Sequence, residues 1–259
     1  MCIALIAYNF FDNYPLIILS NRDEYHNRPT KMAHFWEDYP DILAGKDLDQ
    51  GGTWFGINKK NGRLALLTNF RRPKQDPNKC SRGALVVNFL IKNHSPEEYL
   101  SSLKDSAQKY NGYNIVFGTT KKLFYFNNVK FLSTSLSKGI HVLSNGILNE
   151  PWPKCVRLKE LFIQATKNPP NDLSIEKLFN ILKDDKKFPD KDLPNTGVGI
   201  KRERFLSPIF IKDQEYGTRT STILIIEENN LVRYIERTYE RGTDKVNGER
   251  EFCLLLLKS

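Results

Sequence analysis

The chain has 259 residues, 40% hydrophobic, 12% aromatic and 27% charged, which excludes a disordered or low-complexity protein and suits one large domain or two. Lys and Arg outnumber Asp and Glu 39 to 30, a net charge of +9. The basic residues are dispersed and no nucleic-acid motif gathers them, so the excess reads as a solvated basic surface and no nucleic-acid partner is expected. The wholly apolar stretches, such as Ile3 to Ala7 and Leu254 to Leu257, are far short of the roughly 18 residues of a membrane span, and no transmembrane segment is expected.

In chain order, Met1 to Tyr8 and Pro15 to Ser20 are β-rich runs around a turn-forming Asn-Phe-Phe-Asp-Asn-Tyr-Pro, an opening hairpin. A loop carrying Asn21-Arg22-Asp23-Glu24 follows. Gly51-Gly52, read as a turn, leads into Thr53 to Asn58, and Asn61-Gly62 turns that run back through Arg63 to Phe70. Ser81 is placed to cap a helix reaching about Asn93. Ser95-Pro96-Glu97-Glu98 combines an N-cap, a first-turn Pro and a capping-box Glu for a second helix to about Lys109. Short β runs return at Tyr113 to Thr119, Leu123 to Phe126 and His141 to Leu143. Pro151-Trp152-Pro153 opens a helix to about Lys167, and Ser174 caps another to about Lys183. Phe188 to Gly199, rich in Pro, Asp and Gly, is the expected exposed loop. Thr220 to Ile226, Leu231 to Thr238 and Arg250 to Leu257 close the chain as β runs. Strands at both ends with paired helices between them indicate an α+β layered domain, and no linker divides residues 1–259.

Cys2, Cys80, Cys155 and Cys253 stand far apart, with no CxxC and no zinc-like Cys/His spacing, so no metal site is expected and reduced thiols in a cytoplasmic compartment are the simplest reading. Cys2 differs from the rest by its place. Removal of Met1 would leave a thiol and an α-amine on one residue, and that amine, with a reference pKa near 7.7 to 8.0, can accept the thiol proton. Such a nucleophile needs a carboxylate, a cation and amide donors for an oxyanion. Asp23, Arg22, Asn69, Asn145 and Arg219 are the candidates, each at a strand end. Trp36, Trp54 and Trp152 are candidates to line a pocket for a flat or acyl ligand, or to pack in the core.

An ordered set of motifs carries a resemblance: Met1-Cys2, Ser20-Asn21-Arg22-Asp23-Glu24, Gly51-Gly52-Thr53-Trp54-Phe55-Gly56, Thr68-Asn69-Phe70-Arg71, Ser81-Arg82-Gly83, Ser144-Asn145-Gly146 through Pro151-Trp152-Pro153-Lys154, and Thr218-Arg219-Thr220-Ser221-Thr222. The chain resembles the NRDE family, also called the transport and Golgi organisation family, from Cys2 to about Arg237. The resemblance implies a four-layer αββα sandwich of mainly antiparallel sheets, like the N-terminal-nucleophile (Ntn) hydrolases. A more distant similarity to choloylglycine hydrolases implies Cys2 as nucleophile and base, Asp23 as the amine's partner, Arg22 as the thiolate's cation, and Asn69 with Asn145 around a tetrahedral intermediate. Those hydrolases separate the Arg and Asp by two residues, whereas Arg22 and Asp23 are adjacent; Arg219 is the substitute cation. The NRDE resemblance itself implies haem trafficking, or lipid or acyl-CoA handling. A haem carrier would use an apolar slot, basic residues for the propionates and an optional axial ligand. His26, His34, Trp54, Arg71 and Trp152 are the binding candidates. The expectation is a cytoplasmic carrier of haem or a similar amphipathic anion, with a Cys2-dependent amide hydrolase as the alternative.

Overall fold

Two long apolar strands open the chain in a computed structural model that describes residues 2–167 and 173–256. The strands are β1 (Cys2–Phe11), β2 (Tyr14–Tyr25), β3 (Thr30–Phe35), β4 (Ile42–Asp47), β5 (Phe55–Asn58), β6 (Leu64–Asn69), β7 (Tyr113–Thr119), β8 (Lys122–Asn127), β9 (Leu132–Ser135), β10 (Gly139–Leu143), β11 (Tyr216–Ile226), β12 (Leu231–Tyr239) and β13 (Val246–Leu255). The helices are α1 (Gly83–Ile91), α2 (Pro96–Asp105), α3 (Pro153–Ala165), α4 (Ile175–Leu182) and α5 (Ile200–Phe205). By Cα proximity the chain falls into two units. Among the described residues, one gathers 2–27, Arg71–Pro73 and Lys138–Cys253; the other takes Arg28–Phe70, Lys74–Ser137 and 254–256.

The first unit is built on a six-stranded sheet ordered β10-β1-β2-β11-β12-β13. β1 is antiparallel to β10 and β2, and β11 to β2 and β12. Alternation sets its faces: Ile3, Leu5 and Ala7 of β1 and Ile17 and Leu19 of β2 join Leu158 and Phe162 of α3 and Leu178 and Phe179 of α4 in one apolar cluster. Each fully buried Leu or Phe there contributes about 1.5–3 kcal/mol. Pro153 in the first turn starts α3, and Ser174 caps α4 by accepting from the Lys177 N–H.

The second unit is an antiparallel seven-stranded sheet in the order β3 to β9. Leu85, Val86, Phe89 and Leu90 of α1 and Tyr99 and Leu103 of α2 pack on Ala65, Ile115, Phe117 and Phe126. The capping box at Ser95 and Glu98 is present as expected. Each unit is therefore an antiparallel-rich sheet with a helix layer, the α+β composition expected. No helix among the described residues is long and apolar enough to cross a membrane.

Four sequence expectations are corrected. Asn21 to Glu24 do not lie in a loop. β2 runs to Tyr25 because Asn21 and Arg22 are paired on both edges, Arg22 with Cys2 and Thr220, and Asp23 to Tyr25 continue the pairing with β11, Asp23 opposite Thr218. Ser81 does not cap α1, whose flanking residue is Arg82 without a side-chain cap bond. Gly51 serves the turn, with φ +70, but a Cβ on Gly52 would stand 2.6 Å from the carbonyl carbon of Gly83, so Gly52 is a close approach of two backbones. Strands β3, β4 and β9 were not anticipated. Met1 and Leu257, the ends of two expected β runs, lie outside the described residues.

Candidate functional site

The site grows from the pairing of β1 with β2. Cys2 opposes Arg22 and Ile3 opposes Asn21, so Cys2 and Arg22 share one face while Asn21 continues the helix-covered face of Ile17 and Leu19. Asn21 is a strut: its Nδ2 donates to Leu182 O at 2.8 Å and Ile209 O at 2.9 Å, its Oδ1 accepts from Ser221 Oγ at 2.6 Å, and Tyr239 OH donates onward to Ser221 Oγ. Asp23 accepts from Thr218 Oγ1 at 2.7 Å through its carboxylate and from Tyr216 OH at 3.0 Å through its backbone carbonyl. Burial pushes the Asp23 carboxyl up, opposed by Lys154, the Thr218 hydrogen bond and Arg71. Burial also pushes the Cys2 thiol up, with the Asp23 charge adding to it, against Arg22 and a backbone hydrogen bond from Asp23. The folded environment thus favours a neutral thiol.

Asn145 joins Cys2 to a pocket. Ser144 Oγ donates to Cys2 O at 3.1 Å and lies 3.3 Å from Asn145 Oδ1, and the Asn145 carbonyl accepts from the Arg71 N–H at 2.8 Å. Arg71, Trp152, Lys154, Glu203, Leu206 and the loop residues Phe188, Leu193 and Pro194 are among those lining a pocket of about 210 Å³, its open mouth included. The Arg71 side chain is only 3% exposed; its guanidinium pairs through Nη1 with Glu203 and lies 4.7 Å from the centre of the Trp152 ring. Glu203 is fixed in turn by the Thr196 N–H and Oγ1. The other edge of the guanidinium, Nε and Nη2, is buried without a hydrogen-bond partner among the described residues. Lys154, in the first turn of α3, is 2% exposed and donates from Nζ to Leu206 O at 3.1 Å. Burial, and next the Arg71 charge, pull its pKa down to about 8, with Asp23 acting in the opposite sense. No group of three or more His, Cys, Asp or Glu among the described residues stands ready to hold a metal ion.

The family model "Transport and Golgi organisation 2" matches residues 1–241. The chain belongs to this family. Its curated relatives include the Transport and Golgi organization 2 homolog of Mus musculus, 33% identical over 87% of each chain, and that of Homo sapiens, 34% identical over 87% of each. The chain is also similar to a solved structure, a Caenorhabditis elegans N-acylethanolamine-hydrolyzing acid amidase ortholog. That match has a TM-score of 0.48 and 10% identity, covering 86% of this chain and 92% of the other.

Within this Transport and Golgi organisation chain, the first unit brings Cys2, Arg22, Asp23, Asn145, Arg71 and Trp152 into one connected cluster. Arg219 and His26 lie elsewhere in that unit. Arg219 Nη1 donates to Tyr25 O at 3.2 Å, and His26 Nε2 is 3.0 Å from Asp213 O, its pKa pulled down chiefly by burial. The other candidates belong to the second unit: Asn69 ends β6 opposite Tyr113, Trp54 is buried just before β5, and His34 in β3 has Nδ1 2.7 Å from Met32 O. Sequence reasoning missed Lys154 and Glu203 as site residues. Lys154 stood in the quoted Pro-Trp-Pro-Lys motif, whereas Glu203 sits in a basic run, Lys201 to Arg204, with no local cue to its burial.

Proposed function

We propose that this chain holds an amphipathic anion by its head group, haem being the ligand we favour, and hands it on in the cytoplasm, where its four free thiols would stay reduced. The observation that carries this reading is the buried Nε/Nη2 edge of Arg71 at the pocket. Two parallel N–H groups on one side of a guanidinium match the two oxygens of a carboxylate or phosphate, and a buried donor left unmatched is costly. Lys154 supplies a second cation at the positive end of α3, and Trp152, Leu193 and Leu206 supply the apolar wall. The enclosed part of the pocket is small, with room for little more than the tip of a charged head group, and the rest is open to solvent, so the body of a larger ligand would lie outside it. A propionate would sit on Arg71 with the macrocycle at the mouth, an arrangement that needs no axial histidine. Acyl-CoA presents comparable phosphates and a comparable apolar body.

Haem titration followed at the Soret band tests this reading: saturation near one equivalent supports it, and a response no larger than that of an unrelated basic protein counts against it. Bound anion favours protonated Lys154, so affinity should fall as pH rises through about 8.

The adjacency of Cys2, Arg22 and Asp23 favours a second reading, an N-terminal-cysteine amide hydrolase. It requires loss of Met1. Retention of Met1 in the intact mass would eliminate it, because the Cys2 nitrogen would remain in a peptide bond.

A further inference from the structure

Lys154 is placed where an amine with only a packing role would be costly. It occupies the first turn of α3, where the helix dipole opposes a cation, it is buried, and the Arg71 guanidinium adds to the positive field. Its hydrogen bond from Nζ to Leu206 O uses a single N–H, and the residue lines the same pocket as the Arg71 edge. A desolvated lysine beside a second cation is the environment in which an amine becomes nucleophilic near neutrality.

We infer that Lys154 is a covalent capture site, its Nζ forming a Schiff base with a small aldehyde or ketone whose carboxylate or phosphate is seated on the Nε/Nη2 edge of Arg71. This rests on the anion pocket described above. The neutral amine adds to the carbonyl carbon, and the N–C bond forms as the carbonyl oxygen gains a proton to give a carbinolamine. Loss of that oxygen as water, carrying both amine hydrogens, leaves the C=N bond, with no change of oxidation state. The groups facing Lys154 are Arg71, Asp23 of β2, Cys2 of β1, Cys155 of α3 and, across the pocket, Glu203 of α5. With its pKa near 8, about a tenth of Lys154 is neutral at pH 7, on the order of a hundredfold more than an ordinary lysine.

The test uses pyridoxal 5′-phosphate on the full-length protein at pH 7, borohydride reduction and peptide mapping, with non-covalent binding of the probe followed by equilibrium dialysis. The expected result is one dominant adduct on Lys154, half-maximal in rate near pH 8. It should slow at least tenfold in Arg71→Lys and with pyridoxal lacking the phosphate, and vanish in Lys154→Met. Probe that binds, is displaced by inorganic phosphate and leaves Lys154 unmodified would overturn the capture step while sparing the anion pocket. Adducts spread over exposed lysines such as Lys121, with no saturable binding, would overturn both. Mapping of the wild-type protein keeps the outcome readable even if Lys154→Met does not fold.

Discussion

Arg71 carries most of the chemistry proposed here, and its two roles can be separated by substitution. Arg71→Ala strands the buried Glu203 carboxylate, which should cost about 3–5 kcal/mol in denaturant unfolding. A loss under about 1 kcal/mol would mean the pair is not buried in solution. Lys154 gives a pH signature. Below about pH 8 it is protonated folded and unfolded, and its burial penalty is fully present. Between about 8 and 10.5 the unfolded chain holds a proton that the folded chain has lost, so this residue's contribution to stability rises with pH, by at most about 1.4 kcal/mol per unit. Cys155, pushed up to about 12 by burial, acts in the opposite sense, because the unfolded thiol ionises first. Subtracting the stability of Lys154→Met removes the Cys155 contribution. The difference should move toward wild type from about pH 8 to 10, and a flat difference would contradict a depressed Lys154.

At the level of elements, the NRDE segment behaves as a central strand whose alternate residues serve different neighbours. Asn21 ties β2 to the end of α4 and to Ile209, while Arg22 faces the side of Cys2. Asn21→Ala leaves two buried carbonyls without their donor and should cost about 2–4 kcal/mol in chemical denaturation. Ser95→Ala, which breaks the α2 capping box in the second unit, should cost about 1 kcal/mol and leave anion affinity unchanged. This contrast also explains what the sequence could disclose. The Ser95 and Ser174 caps and the Pro153 start were legible because they are local chemistry. The extension of β2 through Asn21 to Tyr25 was not, because its cause is pairing with β11, nearly two hundred residues away in sequence. The polar composition of that stretch suggested a loop, and only the ladder with β11 makes it a strand.

Across the whole molecule, the resemblance named the family and placed Cys2, Arg22, Asp23, Asn145, Arg71 and Trp152 on the list from which the cluster is built. It could not rank them. The Arg71 edge and the Glu203 pairing arise when Arg71–Pro73, α3 and α5 fold into one unit, and no spacing in the sequence encodes that. The net charge of +9 also acquires a test. If the dispersed surface lysines held the anion, affinity would drop steeply with ionic strength; buried cations at Arg71 and Lys154 are screened far less. Haem affinity should therefore change less than about threefold between roughly 0.05 and 0.5 M salt, whereas a fall of tenfold or more would point to the surface.

The most direct measurement is haem affinity of wild type beside Arg71→Lys, with folding checked by circular dichroism. Lysine keeps a positive charge for Glu203 but lacks the Nε/Nη2 edge. A loss of about ten- to a hundredfold, equivalent to one charged hydrogen-bonded contact, is the expected result. Equal affinity in the two proteins would contradict the placement of the anion on Arg71.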